Sequence, residues 1–418
     1  MRVRLISCIS LVLVFACSMS CKNEKQVDPF HPYYKTIPWV ENPPKKEPFP
    51  RASKTSESLR RVFATAETAR EVFPLERVIK LELTDESIIT QIGEVLFVQD
   101  HWIILDKFQM KLLKFSEDGQ FRGFIGRQGE GPGEYRTIEF PCIVWGDHIG
   151  VVDLMRGKAL VYDIDGRLIR ETQTPGTEGD GGKFPVTNAF IWNRPDRFYL
   201  ADYSRIPHVP QHVVLDYAKE KGELLYGFGK RNDLLEAWAV SNRAIKFIFN
   251  SFIQVGDTIW AAVPWGSHIN VYDLEGHLLG NVTGPHPDNL TYEDYRTMTP
   301  SIEAQKRLLV QKSRNYRLIH YNGLILQHLG HGGKQIFNIY DSGGDLLGAG
   351  LKADFSISSV KTTTDQHLVN AFPVLDTLAR YQSFVDPQEL ALLEESGWDP
   401  NDFSGDNEYL FLRGITEP

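Results

Sequence analysis

Along this chain, short apolar runs rich in β-branched and aromatic residues alternate with polar turn clusters, a pattern of strands rather than helices. The clearest stretch is Ile103–Tyr135, IILDKFQMKLLKFSEDGQFRGFIGRQGEGPGEY. Trp102–Leu105, Leu112–Phe115 and Phe121–Ile125 read as three strands, and Asp118-Gly119 joins the last two. An Asp-Gly pair between apolar runs predicts a hairpin, here expected as a type I′ turn with positive φ at both central positions. The same phrase returns as VYDIDGRLI (161–169), VYDLEGHLL (271–279) and IYDSGGDLL (339–347), with a degraded copy over Leu215–Leu225.

A second register runs beside the first. Asx residues punctuate paired apolar runs at Asp100, Asp147, Asp196, Asp257, Asn322 and Asp365, at intervals of 47, 49, 61, 65 and 43 residues. Six turns with this period, each accompanied by three or four strands, predict an all-β, six-bladed β-propeller of four-stranded antiparallel blades. A blade cannot bury both faces alone, so neighbours stack around a ring; a large β-sandwich is the competing architecture. The blades fall at about 91–126, 137–173, 185–229, 247–283, 314–350 and 355–415. The alternating segment Glu76–Leu83 (ERVIKLEL) completes the last one, because pairing strands from both termini removes a free edge. Helical spacing over Glu57–Val72, Thr291–Ser313 and Pro387–Ser396 marks a lead-in and two small insertions.

The first residues change the picture of location. Arg2 and Arg4 precede an apolar run from Leu5 to Ala16, too short at 1.5 Å per residue for a ~30 Å hydrocarbon core. A secretory signal over residues 1–20 fits, and SMSC (18–21) reads as a lipobox with acylation at Cys21; Cys17 and an ordinary signal peptide are the alternatives. Residues 21–56, with prolines at 29, 32, 38, 43, 44, 48 and 50, are expected as a semi-rigid tether ahead of a body over 57–418. Cys8 and Cys17 fall within the leader, Cys21 at its end, and only Cys142 in the body, which excludes a disulfide framework. The net charge of −9 without a basic stripe excludes nucleic acid as a partner.

The lipobox, LELTDESIITQIG (81–93), the Ile103–Tyr135 stretch and the repeated YDxxG turns together resemble the six-bladed β-propeller lipoproteins with NHL-like blades of Gram-negative anaerobes. The resemblance spans roughly residues 70–372, and GRQGEGPGEY (126–135) is its most specific part. It implies an outer-membrane lipoprotein, periplasmic or surface-exposed, anchored by its lipid. Ligand or glycan binding is the implied role.

Counting back from each Asx turn to the start of the innermost strand places Glu94, Glu139, Asn188, Asn250, Asn315 and Ser358 around one mouth of the central channel. Such a polar collar suits a glycan, peptide or protein ligand. It equally suits Ca²⁺ in a lactonase-like hydrolase or a lyase. A binding module without a cofactor is the favoured reading, and a solvated mouth needs polar residues in any case. The glycines of GRQGEGPGEY lack the following helix of a phosphate loop and read as a tight link between blades. His328 and His331 lack a third ligand and read as a hairpin-loop pair. Cys142 reads as a small core residue and Trp102, Trp145, Trp192 and Trp260 as packing between blades. The sequons at Asn281 and Asn289 carry no weight in a bacterial lipoprotein.

Overall fold

The computed structural model describes residues 40, 49, 55–153, 156–173, 190–201, 212–216, 222–229, 251–263, 267–285, 291, 293–294, 307, 311–332, 334–352, 361–362, 368–372, 387–397 and 408–415. The chain enters through helices α1 (Glu57–Thr65) and α2 (Ala69–Val72) and strand β1 (Leu75–Leu81). Blade one is β2 (Ile92–Val98), β3 (His101–Asp106), β4 (Lys111–Ser116) and β5 (Phe121–Phe124). The short parallel pair β6 (Arg127–Gln128) and β7 (Glu134–Tyr135) leads to blade two: β8 (Ile138–Val144), β9 (His148–Asp153), β10 (Lys158–Tyr162) and β11 (Leu168–Gln173). Blade three is β12 (Phe190–Arg194), β13 (Arg197–Ala201), β14 (His212–Asp216) and β15 (Glu223–Phe228). Blade four is β16 (Phe252–Val255), β17 (Thr258–Ala262), β18 (His268–Asp273) and β19 (Leu278–Thr283). Blade five is β20 (Arg314–Tyr321), β21 (Leu324–His331), β22 (Lys334–Asp341) and β23 (Leu346–Lys352). The chain ends in β24 (Lys361–Thr362), β25 (Leu368–Phe372), helix α3 (Pro387–Glu395) and β26 (Glu408–Arg413).

Five four-stranded antiparallel blades in a propeller arrangement are therefore present, rather than the six expected. Where the sixth was expected, the described residues form a three-stranded sheet ordered β1-β26-β25, made from both ends of the chain. Here β1 pairs antiparallel with β26 from Leu75↔Arg413 to Leu81↔Glu408. The two-residue strand β24 pairs instead with β2 of blade one, in parallel. The innermost strands β2, β8, β12, β16 and β20 lie against one another in turn, and apolar clusters fill the seams between blades.

Two turn chemistries recur among the blades, and they are distributed differently from the expectation. Type I′ geometry belongs to the Asx turns of blades one and five: φ is positive at both Gln99 and Asp100 (47° and 60°) and at both Asn322 and Gly323 (47° and 74°). In the YDxxG turns only the glycine is left-handed, at 89°, 79°, 86° and 98° for Gly119, Gly166, Gly276 and Gly344. Each glycine N–H donates to the carbonyl three residues back, which is a type I turn closed by a glycine bulge, not type I′. The repeated aspartate nucleates it. One carboxylate oxygen each of Asp163, Asp273 and Asp341 accepts the backbone N–H four residues on, at 2.8–2.9 Å.

These turn glycines also set the blade-to-blade contact. A Cβ on Gly119 would stand 2.2 Å from the Lys80 carbonyl in β1, one on Gly166 2.9 Å from the Phe124 carbonyl in β5, and one on Gly276 2.7 Å from Phe228 Cβ in β15. Each of these three turns thus fits against the outer strand of the sheet before it.

Two described residues of the N-terminal segment, Val40 and Phe49, touch the body. Val40 N–H donates to the Gly227 carbonyl of β15 at 2.9 Å, and Phe49 meets Trp260 edge-on, 5.4 Å between ring centroids. Ser56 caps α1 through Leu59 N–H, and Phe63 of that helix packs with Leu347 and Leu351 of β23. Residues 1–20 lie outside the described residues. Replacing Phe49 by alanine should therefore cost about 2 kcal/mol of stability, the low end for a large-to-small change at a partly buried ring. A melting temperature equal to that of the unaltered protein would show that the contact carries no energy.

Candidate functional site

Strand alternation divides the propeller into two unlike faces. Inner strands start, second strands end and outer strands end on one face; the opposite face carries the tight Asx and YDxxG turns. All the long intervening stretches, 174–189, 202–211, 229–251, 284–313 and 373–407, fall between strand ends on the first face. That face also holds the starts of β2 and β20, and there the side chains meet. Glu94 of β2 accepts a hydrogen bond from Arg317 Nη2 of β20 at 2.8 Å, with the two side chains 9% and 23% exposed. The pair joins the innermost strands of blades one and five.

A local irregularity places these side chains. Pairing of β2 with β3 shifts register between Ile92 and Val95, that of β8 with β9 between Glu139 and Cys142, and that of β20 with β21 between Asn315 and Arg317. A bulge resets the alternation of faces. Asn315 consequently points away from the mouth, contrary to expectation. It is fully buried, donates to the Val263 carbonyl of blade four and accepts from Gln327 Nε2 at 2.6 Å. Gln327 Oε1 in turn accepts from Asn338 and Tyr340, each at 3.1 Å, so Asn315 belongs to a satisfied polar seam. Arg317, two residues on, is the side chain that reaches Glu94.

The remaining expected residues divide as follows. Glu94 is on β2 and nearly buried; Glu139 lies on β8 opposite Val152. Asn188, Asn250 and Ser358 lie outside the described residues. Ser251, beside Asn250, accepts the Leu318 N–H at 2.7 Å and fastens blade four to blade five. His328 is not in a loop: it sits in β21 beside Arg317, between the Tyr316 and Phe337 rings at 5.1 and 4.9 Å. Its Nε2 lies 3.0 Å from Gln335 Oε1. Burial pushes the imidazole down to about 4 against the opposing Gln335 bond, with Arg317 adding to the fall. Cys142, Trp102 and Trp260 are buried.

GRQGEGPGEY does cradle an anion, but the anion is its own. The Glu134 carboxylate accepts the Gly131 N–H at 2.6 Å and meets Arg127 Nε at 2.5 Å, and that backbone N–H above all holds it below the usual carboxylate range. A Cβ on Gly129 would stand 2.1 Å from the same carboxylate. Gly133 N–H donates to Glu171, which also holds the buried Lys158 at 3.1 Å. The segment is a clasp between blades one and two. Among the described residues one trio has metal-binding proximity, Asp273, Glu275 and His277. It lies in a YDxxG turn on the tight face, where Asp273 Oδ1 already accepts two backbone N–H groups.

A second buried acid stands where the closing sheet meets blade one. Glu408 of β26 is 7% exposed, its Oε2 has no hydrogen-bond partner, and burial, then repulsion from Asp106, pushes its carboxyl up to about 8. A raised carboxyl contributes stability that is whole below its unfolded value and lost as pH climbs toward the folded one. His328, lowered instead, contributes above its unfolded value and loses its share as pH falls toward 4. Between pH 6.5 and 8 the Glu408 slope operates and that of His328 does not, so E408Q should flatten the fall in melting temperature across that window. A parallel fall in E408Q would assign it to another group.

Against known sequences, the family model described as a domain of unknown function (DUF4934) matches residues 71–232. No curated protein matches the chain. Among solved structures, a Bacteroides fragilis protein whose description suggests export superposes with a TM-score of 0.62 at 16% identity, covering 85% of this chain and 98% of that one. A DUF4221 member from Bacteroides vulgatus superposes with a TM-score of 0.54 at 10% identity, covering 83% and 98%. Both likenesses concern the fold.

Proposed function

We propose that this chain is an envelope lipoprotein, acylated at Cys21, whose propeller is a binding module. A sixth blade completes the ring, with β24 as its inner strand beside β2 and β25, β26 and β1 outside it. The ligand, a glycan, peptide or protein partner, enters at the mouth of the face that carries the long segments. The observation supporting this is the Glu94–Arg317 pair, an acid and a base held together on two inner strands. Exposed Ile88 and Phe108, 53% and 72% accessible, flank the same face on blade one, where Gln109 donates to the Ile88 carbonyl at 2.8 Å and ties the two loops together.

The donor set argues against a hard-cation centre at Glu94, because its carboxylate is already neutralised by a guanidinium that would repel a divalent ion. Export of the Bacteroides fragilis relative accords with the leader read at residues 1–20. Glycan and peptide arrays probed with the protein, E94Q and R317K test the site: a hit lost in both variants, with melting temperature retained, supports it. A hit insensitive to both overturns it. One tightly held divalent ion per chain, released by E94Q, would favour the metal-assisted hydrolase or lyase instead. Mass spectrometry of the mature N-terminus should find diacylglycerol on Cys21, and an unmodified residue there removes the anchor.

A further inference from the structure

The third strands of the five blades open on a base or a histidine: Lys111 in β4, Lys158 in β10, His212 in β14, His268 in β18 and Lys334 in β22. In the closing sheet β26 lies beside β1 as each of these lies beside the last strand of its blade, yet it opens on Glu408. Blade two shows a base in this place, with Lys158 buried and 3.1 Å from Glu171. Glu408 is buried too, and its Oε2 has no hydrogen-bond partner. A buried oxygen left so is destabilising, and what stands opposite it decides under which conditions.

Strand alternation aims this acid into one seam. Glu408, Leu410 and Leu412 share a face of β26, and Leu410 and Leu412 belong to the same apolar cluster as Trp102 and Ile104 of β3. Asp106 is next in the β3 row, so two acids end two facing apolar rows. Asp106 is fully buried and its oxygens are occupied: Oδ1 accepts the Phe108 and Gln109 N–H groups, and Oδ2 the Thr90 N–H at 2.6 Å. The bases nearby turn elsewhere. Lys111, the cross-strand partner of Asp106, leans over the Phe124 ring at 5.6 Å, and Lys107 lies along Gly93. Glu94 of β2 is held by Arg317, and Lys361 of β24 stands beside Leu96, further along β2. On the closing sheet Lys80 and Glu82 are exposed, and β25 carries no charged residue. Tyr409 and Arg413 lie on the other face of β26, where Arg413 donates to the Phe73 carbonyl at 3.0 Å. Among the described residues no base reaches Glu408.

The closing sheet has two neighbours, and Glu408 faces one of them. Leu368 of β25 packs with Ile319, Leu324 and Phe337 of blade five, whereas Ile79, Leu81, Val369, Leu410 and Leu412 pack with blade one. We propose that Glu408 is a proton-controlled latch on closure of the propeller: while it carries its proton the closing sheet seats on blade one, and on losing it that seam opens while the sheet stays with blade five. A neutral carboxyl fits an apolar seam that ends on Asp106; two carboxylates facing each other at low dielectric do not. The carboxyl, pushed up to about 8 in the seated sheet, regains its ordinary 4.5 once water reaches it, so opening sheds one proton. Each pH unit between those values therefore multiplies the open fraction by about ten, and above them the rise stops. Such a partial opening leaves the rest of the fold intact. The latch needs no ligand at the channel mouth, and its test does not depend on that reading.

Thiol labelling of the full chain reads opening seam by seam. V95C puts the thiol in the blade-one seam, where Val95 is 2% exposed, and V271C puts it between blades four and five, where Val271 is fully buried. Methyl methanethiosulfonate labelling is located by mass spectrometry and divided by the rate of a free thiol at the same pH. From roughly pH 6 to pH 8 the corrected rate at V95C should rise about tenfold per unit and then level off, while that at V271C stays flat. E408Q keeps the size of the side chain and removes its titration, so the V95C rate should be flat in that background, with thermal melts confirming the fold. A V95C rate that does not respond to pH, a rise that survives in E408Q, or an equal rise at V271C overturns the proposal. Suppression of the rise by millimolar calcium, reversed by chelation, would assign the two acids to a cation and overturns it as well.

Discussion

Alanine in place of Gly119 should destabilise the propeller by about 2–5 kcal/mol. Two penalties add. At φ 89° an L-residue pays ~1–2 kcal/mol, and a Cβ 2.2 Å from the Lys80 carbonyl forces β1 outward at ~1–3 kcal/mol more. The atom in the way is backbone of the strand that joins the two ends of the chain, so no side chain can swing aside. Glu82 N–H also donates to the Gly119 carbonyl at 2.8 Å, and the shift would strain that bond as well. Gly323 is the control: its φ is 74° but nothing lies within 4 Å of a Cβ there. G323A should therefore lose only ~1 kcal/mol. Equal urea midpoints for the two variants would mean that the turn-to-strand contact contributes nothing to closure.

That contrast also shows which parts of the fold were legible in the chain. Apolar runs and the spacing of Asp118-Gly119, Asp165-Gly166 and Glu275-Gly276 locate the third and fourth strands, since a bulged turn needs glycine at one place only. The turn type was not legible, because Asp-Gly serves both I′ and bulged turns; the side-chain bonds of Asp163, Asp273 and Asp341 to the backbone decide it. Counting back from the Asx turns reached Glu94 on its inner strand, yet a bulge beside Tyr316 sends Asn315 into the seam and brings Arg317 to Glu94, which no polar punctuation marks. The contact of Phe49 with Trp260 was not legible for a different reason: proline content reports stiffness, not where a residue packs, and Phe49 lies against Gly280, which has no side chain. Conversely, the glycine four places after the turns at Gly276 and Gly344 is visible in the letters, but what packs against it is not.

Removing the Arg317 side chain should cost more than removing that of Glu94, although each deletion breaks the same bond. R317A leaves a carboxylate whose side chain is 9% exposed without its guanidinium, whereas E94A leaves a guanidinium still 23% exposed to water. An uncompensated buried charge costs ~3–5 kcal/mol; a partly hydrated one costs ~1 kcal/mol, near the value of an exposed pair. The double variant E94A/R317A should recover most of the loss seen in R317A, giving a coupling of ~2 kcal/mol or more. Urea unfolding of the four proteins measures this cycle. Equal single losses with no coupling would place the pair in water, and a pair in water has no reason to be held on two inner strands. A large coupling means that the two innermost strands hold a charged pair at low dielectric, where each partner is stabilised chiefly by the other.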